Sequence, residues 1–144
     1  MIEIRQSPLT DGEFNRGVFA SEAIPKGTMI HRAPAITYLA EEHDDIEKTI
    51  LGDYAFNFGA NHGAIALGYG SLFNHSYTPN AYYEINFDQL AIDFFAYTDI
   101  AADEEILINY NGEVDCDDEL WFTQGNEQTA PEPETNPKSE PDSD

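Results

Sequence analysis

Leu72-Phe73-Asn74-His75-Ser76-Tyr77-Thr78-Pro79-Asn80, followed further along by Glu104-Glu105-Ile106-Leu107-Ile108-Asn109-Tyr110, are the two stretches on which the reading of this chain turns. The first is turn-forming. Asn and Ser side chains bond readily to nearby backbone, and Pro79 restricts the residue before it. The second opens on two carboxylates, continues as an apolar run and delivers one tyrosine, so residues 105–110 read as a strand. Each half alone has a bland account. The first could be a hydrogen-bonded turn, and the second a core tyrosine at a strand end in a chain with eight tyrosines.

Working outward, the chain is β-rich. Short strands are expected over 2–5, 17–20, 28–32 and 65–67. Asp11-Gly12 marks a turn, Gly68-Tyr69-Gly70 a bend, and Pro25-Lys26-Gly27 a tight turn whose glycine tolerates positive φ. Residues 81–86 and 89–96 flank Phe87-Asp88 and predict a hairpin. In its second strand Leu90, Ile92 and Phe94 share one face, while Ala91, Asp93 and Phe95 share the other. The best helix is expected over 42–51, with Asp44 and Asp45 near its start, Ile46 and Ile50 one turn apart, and Gly52 ending it.

At 144 residues the chain suits one domain with one core. From Gln124 the composition shifts: half of the eight prolines fall there, with no large apolar residue. Such a segment cannot bury enough surface to offset ordering entropy, so residues 1–123 are expected to fold and 124–144 to form a disordered acidic tail. The single Cys116 excludes an intrachain disulfide and a cysteine-based zinc cluster. His31, His43 and His62 lack metal-ligand spacing, and no metal is expected.

Charge narrows the partners. Six Lys and Arg against 28 Asp and Glu give a net charge of −22. The tail, with six acids and one lysine, carries only −5 of that. Between Thr49 and Phe122 there is no Lys or Arg. This surface repels nucleic acid and anionic membrane and attracts a cationic partner, or it serves solubility alone; composition leaves the two readings level. No basic-plus-apolar leader or bilayer-length apolar stretch occurs in the sequence, so a soluble intracellular protein is the default expectation, cytoplasmic in a bacterium or nuclear in a eukaryote.

Taken together, three segments resemble the SET-domain protein-lysine methyltransferases. They are Asn15-Arg16-Gly17-Val18-Phe19-Ala20 with Ile24-Pro25-Lys26-Gly27, the Phe73–Asn80 motif, and Phe95-Ala96-Tyr97-Thr98-Asp99-Ile100 running through Glu104-Glu105-Ile106 to Tyr110. The compact span, with a short helical insert after Tyr38, is similar to small stand-alone viral and bacterial members. The resemblance implies a mainly β fold in which several short curved sheets surround a C-terminal pseudoknot. It also implies S-adenosylmethionine as methyl donor, with Asn15, Arg16, Gly17, Asn74, His75 and Tyr110 at the cofactor and Tyr110 as the catalytic residue. Tyr54 and Tyr69 match positions lining a lysine channel, and Trp121-Phe122 would fold back over it where relatives carry a cysteine-rich zinc module. Family glycines are replaced by Asn15 and Asp103, residue types that tolerate the left-handed conformation.

The implied chemistry has physical demands. Attack of an amine on a sulfonium methyl is an in-line displacement, so alignment, desolvation and charge placement dominate. The lysine must be neutral although its free pKa is about 10.4, and an aromatic channel penalises the ammonium form. The Tyr110 hydroxyl would orient the amine. Ile108 falls where relatives place Phe or Tyr to limit methylation and has no hydroxyl, so the product should not be confined to monomethyl-lysine. The expected substrate is a basic protein segment, histone-like or a ribosomal tail, and homodimerisation stays open. The alternatives are a SET-like module that binds without transferring methyl groups, and an unrelated acidic domain that holds basic proteins.

Overall fold

The computed structural model describes residues 1–9 and 15–112. The expected turn at Asp11-Gly12, the Trp121-Phe122 pair and the tail from Gln124 lie outside the described residues. Among those described, the strands are β1 (Ile2–Gln6), β2 (Arg16–Ala20), β3 (Met29–Leu39), β4 (Ala55–Asn57), β5 (His62–Ala66), β6 (Asn74–His75), β7 (Ala81–Asn86), β8 (Ala91–Ala96) and β9 (Leu107–Ile108). The helical content is α1 (His43–Glu47) and 3₁₀ turns at Ala40–Glu42, Ile50–Tyr54 and Gly70–Leu72. The architecture is mainly β, as expected. None of these helices is long and apolar enough to cross a membrane.

Two compact units divide the described residues. One comprises 1–9, 15–35 and 66–112; the other is 36–65. In the first, β1 pairs antiparallel with β2 from Ile2↔Ala20 to Gln6↔Arg16. β8 lies between β3 and β7, with a bulge in β3 between Met29 and His31. β6 and β9 form a short parallel pair, Asn74↔Leu107 and His75↔Ile108. The core gathers Val18, Ile24, Ile92, Ile100, Ile106 and Ile108, all at most 1% exposed, around the stacked rings of Phe73 and Phe94, 4.5 Å apart. Burying each such side chain is worth about 1.5–3 kcal/mol.

The hairpin is present, with one correction. β7 covers the expected residues, but β8 starts at Ala91 because Phe87 to Leu90 form the turn. Asn86 Oδ1 accepts the Gln89 amide at 3.0 Å, and Leu90 takes a φ of 50°. Leu90 is therefore 56% exposed, whereas Ile92 and Phe94 are fully buried as the alternation required. Gly27 has the expected positive φ of 88°.

Two expected elements are shorter. Residues 42–51 do not form one helix: α1 ends at Glu47, and the Ile50–Tyr54 turn follows, with Gly52 inside it. Thr49 is the break. It is extended, its hydroxyl donates to Ile46 O at 2.7 Å and accepts from Leu51 N at 3.1 Å, and no residue of either element is buried. A short helix without a buried face gains nothing from tertiary packing to offset this competition. Residues 105–110 likewise yield only the two-residue β9, because their backbone bonds go to several partners. Ile106 N donates to Val18 O, Leu107 N to the Asn80 side chain, and Ile108 O accepts from Ser76 N.

In the second unit, β4 and β5 pair antiparallel from Ala55↔Ile65 to Asn57↔Gly63. Tyr38 and Phe58 are its buried aromatics, with the Tyr38 ring close over Gly63.

Candidate functional site

The Asn-His segment is delivered by a short, heavily bonded approach. Gly68 takes a φ of 63°, and Tyr69 N donates to His31 Nε2 at 3.2 Å. The 3₁₀ turn then leads to Phe73, whose buried ring anchors the residue before Asn74. Past β6, Ser76 N donates to Ile108 O at 2.9 Å, and Ser76 Oγ accepts from Thr78 N at 2.9 Å. Asn80, nine-tenths buried, closes the motif. Its Oδ1 accepts from Leu107 N at 2.8 Å, while Nδ2 donates to Glu105 O at 2.9 Å and Glu104 Oε2 at 3.1 Å. One side chain thus clamps the two signature stretches together.

Tyr110 is tied to the same segment at both ends. Its backbone N–H donates to His75 Nδ1 at 3.0 Å, and its hydroxyl donates to Phe73 O at 2.8 Å. The Tyr110 and His75 rings lie 5.1 Å apart. Because Nδ1 accepts, the neutral imidazole carries its proton on Nε2. Burial holds the His75 pKa below its ordinary value, which favours that neutral form. With the hydroxyl proton committed to Phe73, the Tyr110 oxygen turns only acceptor lone pairs toward any further group. The residue is 36% exposed.

On the β2 side, Asn74 Nδ2 donates to Glu105 Oε2 at 2.8 Å and to Arg16 O at 3.2 Å. Arg16 itself is exposed. Ser7, fully buried, donates its hydroxyl to Glu105 Oε1 at 2.8 Å. A Cβ on Gly17 would lie 2.7 Å from Asn74 Nδ2 and closer still to the Glu105 carboxylate, so glycine is required there by the protein's own polar packing. Asn15 does not use the left-handed conformation expected of it: among the described residues only Leu90 and Asp103 are non-glycines with positive φ, Asp103 at 72°. Asn15 instead donates its side-chain amide to Ser7 O at 3.0 Å and accepts Ser7 N on its own carbonyl at 3.1 Å. A side chain that bonds backbone directly removes the need for a glycine-like turn.

The structure therefore brings Asn15, Arg16, Gly17, Asn74, His75, Ile108 and Tyr110 into one bonded assembly. Ile108 is fully buried opposite His75. Tyr69 packs its ring edge-on against His31, with centroids 5.4 Å apart. Tyr54 sits in the other unit, at the end of its 3₁₀ turn and 38% exposed. Trp121 and Phe122 lie outside the described residues. Ser7, Asn80 and Glu105 are the residues that sequence reading passed over. Asn80 and Glu105 lie inside the two quoted stretches, while Ser7 carried no local signal. No group of three or more His, Cys, Asp or Glu among the described residues is arranged to hold a metal ion.

A family model described as the SET domain matches residues 15–111, the span that holds most of this assembly. The chain belongs to the SET-domain family of protein-lysine methyltransferases. This SET domain is 34% identical over 108 residues to a Schizosaccharomyces pombe protein named histone-lysine N-methyltransferase, H3 lysine-37 specific, covering 74% of this chain and 69% of that protein. It also superposes, with a TM-score of 0.63 and 36% identity, on the crystal structure of a Plasmodium falciparum protein described as a candidate histone methyltransferase, over 76% of this chain and 91% of that one. The autoinhibited Polycomb Repressive Complex 2 of Chaetomium thermophilum matches with a TM-score of 0.65 at 21% identity, over 76% of this SET domain and 15% of that chain; that likeness is one of fold alone.

Proposed function

We propose that this SET domain binds S-adenosylmethionine against the Asn74-His75 strand and methylates a lysine in a basic protein segment, with Tyr110 as the catalytic residue. Protein-lysine methylation is the activity of its family; the cofactor, the residues and the substrate class are our reading. The observation that carries it is the double attachment of Tyr110 to the motif, through its hydroxyl to Phe73 and its amide to His75. The residues fit such a cofactor. Asn74 has its amide hydrogens engaged on the protein side and its carbonyl oxygen left over, and β2 approaches through Gly17.

When bound, S-adenosylmethionine supplies an activated methyl group, so no metal is needed. The chain's residues supply alignment. The Tyr110 oxygen, restricted to accepting, takes an N–H from the incoming amine and turns the amine lone pair toward the donor. The parallel placement of β6 and β9 is compatible with a pseudoknot. Acidic charge without a Lys or Arg from Thr49 to Phe122 would draw residues flanking the target lysine. The yeast relative is named for a histone lysine, and a histone-type tail is the substrate class we favour; a nuclear location follows if that holds.

The test is incubation with labelled S-adenosylmethionine and basic proteins, wild type against Tyr110→Phe. The variant should lose about 100-fold or more in transfer rate while keeping cofactor affinity. Equal labelling by both would overturn the assignment. With Ile108 offering no hydroxyl, mass spectrometry at exhaustive turnover should show products beyond monomethyl-lysine.

A further inference from the structure

The orientation of the Asn74 amide is decided by what lies behind it. Its terminal group sits 2.8 Å from Glu105 Oε2 and 3.2 Å from Arg16 O. A carboxylate and a carbonyl can only accept, so the atom facing them must be the nitrogen, with both hydrogens committed. A flipped amide would set oxygen against oxygen. Glu105 is itself pinned: the Ser7 hydroxyl reaches its two oxygens at 2.8 and 3.0 Å, and Ser7 is held at both backbone groups by Asn15. Gly17 leaves no spare room around the pair.

We propose that Glu105 is a positioning residue that locks the Asn74 carbonyl oxygen outward and so makes the site selective for a cofactor bearing a cationic amine. The proposal rests on the reading of Asn74 as a cofactor contact. Both groups holding the Glu105 carboxylate, a hydroxyl and an amide, are neutral. An anion bonded to an amide N–H pushes electron density onto the amide oxygen, so Asn74 Oδ1 becomes a stronger acceptor. Such an oxygen discriminates most in favour of a charged donor. The charged donor on S-adenosylmethionine, apart from its sulfonium, is the α-ammonium of its amino-acid end; the adenine amine is neutral.

Calorimetry with two probes tests this: S-adenosylhomocysteine and its analogue lacking the α-amino group. Wild type should prefer the amine-bearing probe by about tenfold or more, the scale of one charge-assisted hydrogen bond. Glu105→Gln, which keeps the shape and removes the charge, should shrink that preference to about threefold or less and leave the affinity for the deaminated probe unchanged. In an Asn74→Ala background Glu105→Gln should have no further effect on the preference. Ser7→Ala, which loosens Glu105 from behind, should shift the ratio the same way by a smaller factor and serves if Glu105→Gln does not fold. Parallel losses for both probes, or an unchanged ratio, would overturn the proposal and show a merely structural carboxylate. Wild type binding neither probe would instead sink the cofactor reading and this inference with it.

Discussion

Residues 104–110 and residues 40–54 both hold little regular structure, yet they are kept in place by opposite means. In the first stretch the bonds reach across the chain: Glu105 to Ser7, Leu107 to Asn80, Ile106 to Val18, Tyr110 to Phe73. In the second, apart from Ala40 N to Asn61 O at its start, they close over a few residues, as in Thr49 N to Ile46 O and Gly52 N to Thr49 O, and none of its helical elements buries a residue. The first stretch is ordered by tertiary structure and the second by its own local bonds. Damage should therefore spread from the first and stay confined in the second.

The sharpest way to break this contrast is to compare Phe73→Ala with Ile50→Ser. Phe73 is 1% exposed, stacked on Phe94 and adjacent to Asn74, so its truncation should cost about 3–5 kcal/mol in urea unfolding. Ile50 is 69% exposed, and its replacement should stay within about 0.5 kcal/mol. Similar costs would sink the comparison. Asn80→Ala against Thr49→Ala is the next step down. The first strands Leu107 N–H and Glu105 C=O, costing about 2–4 kcal/mol, and should also disturb the amide signals of Asn74 and Tyr110 in NMR spectra. The second removes a local cap worth at most about 1 kcal/mol and should perturb only its own neighbours.

Smaller effects come from pH, with opposite signs in the two units. Burial holds His31 and His75, both in the first unit, below the ordinary histidine value of about 6.5. The unfolded chain then takes up protons before the folded one does. Stability is complete above about pH 7 and falls as pH drops through 6.5 toward the lower folded values. Tyr38, in the second unit, is pushed up to about 12 by burial and by Glu47, so its contribution is intact below pH 10 and lost between there and 12. Melting temperature followed by near-ultraviolet absorbance across pH 5 to 11 should fall at both ends. His31→Gln should flatten only the acid side and Tyr38→Phe only the alkaline side.

Much of the fold was legible. The β7 span, the Gly27 turn, the left-handed Asp103 and the alternation that buries Ile92 and Phe94 all follow from local pattern. At the site, Asn74, His75 and Tyr110 stood out because their motif is contiguous. Their supports did not. The Ser7–Glu105 bond spans 98 positions and the Asn74–Glu105 bond 31, so no window of sequence contains either pair. Asn15 was misread because its side chain bonds the Ser7 carbonyl, eight positions earlier, and its backbone does not enter the left-handed region.

By itself the sequence determined that the chain is β-rich, acidic, and organised around two signature stretches, since alternation, turn chemistry and charge are properties of neighbouring residues. Tertiary structure decided which way the Asn74 amide faces, where strand 105–110 breaks, and that Tyr110 is fastened to Phe73. Those outcomes depend on which acceptors arrive from distant segments, and hydrogen bonds are short-ranged enough that only folding can bring them there.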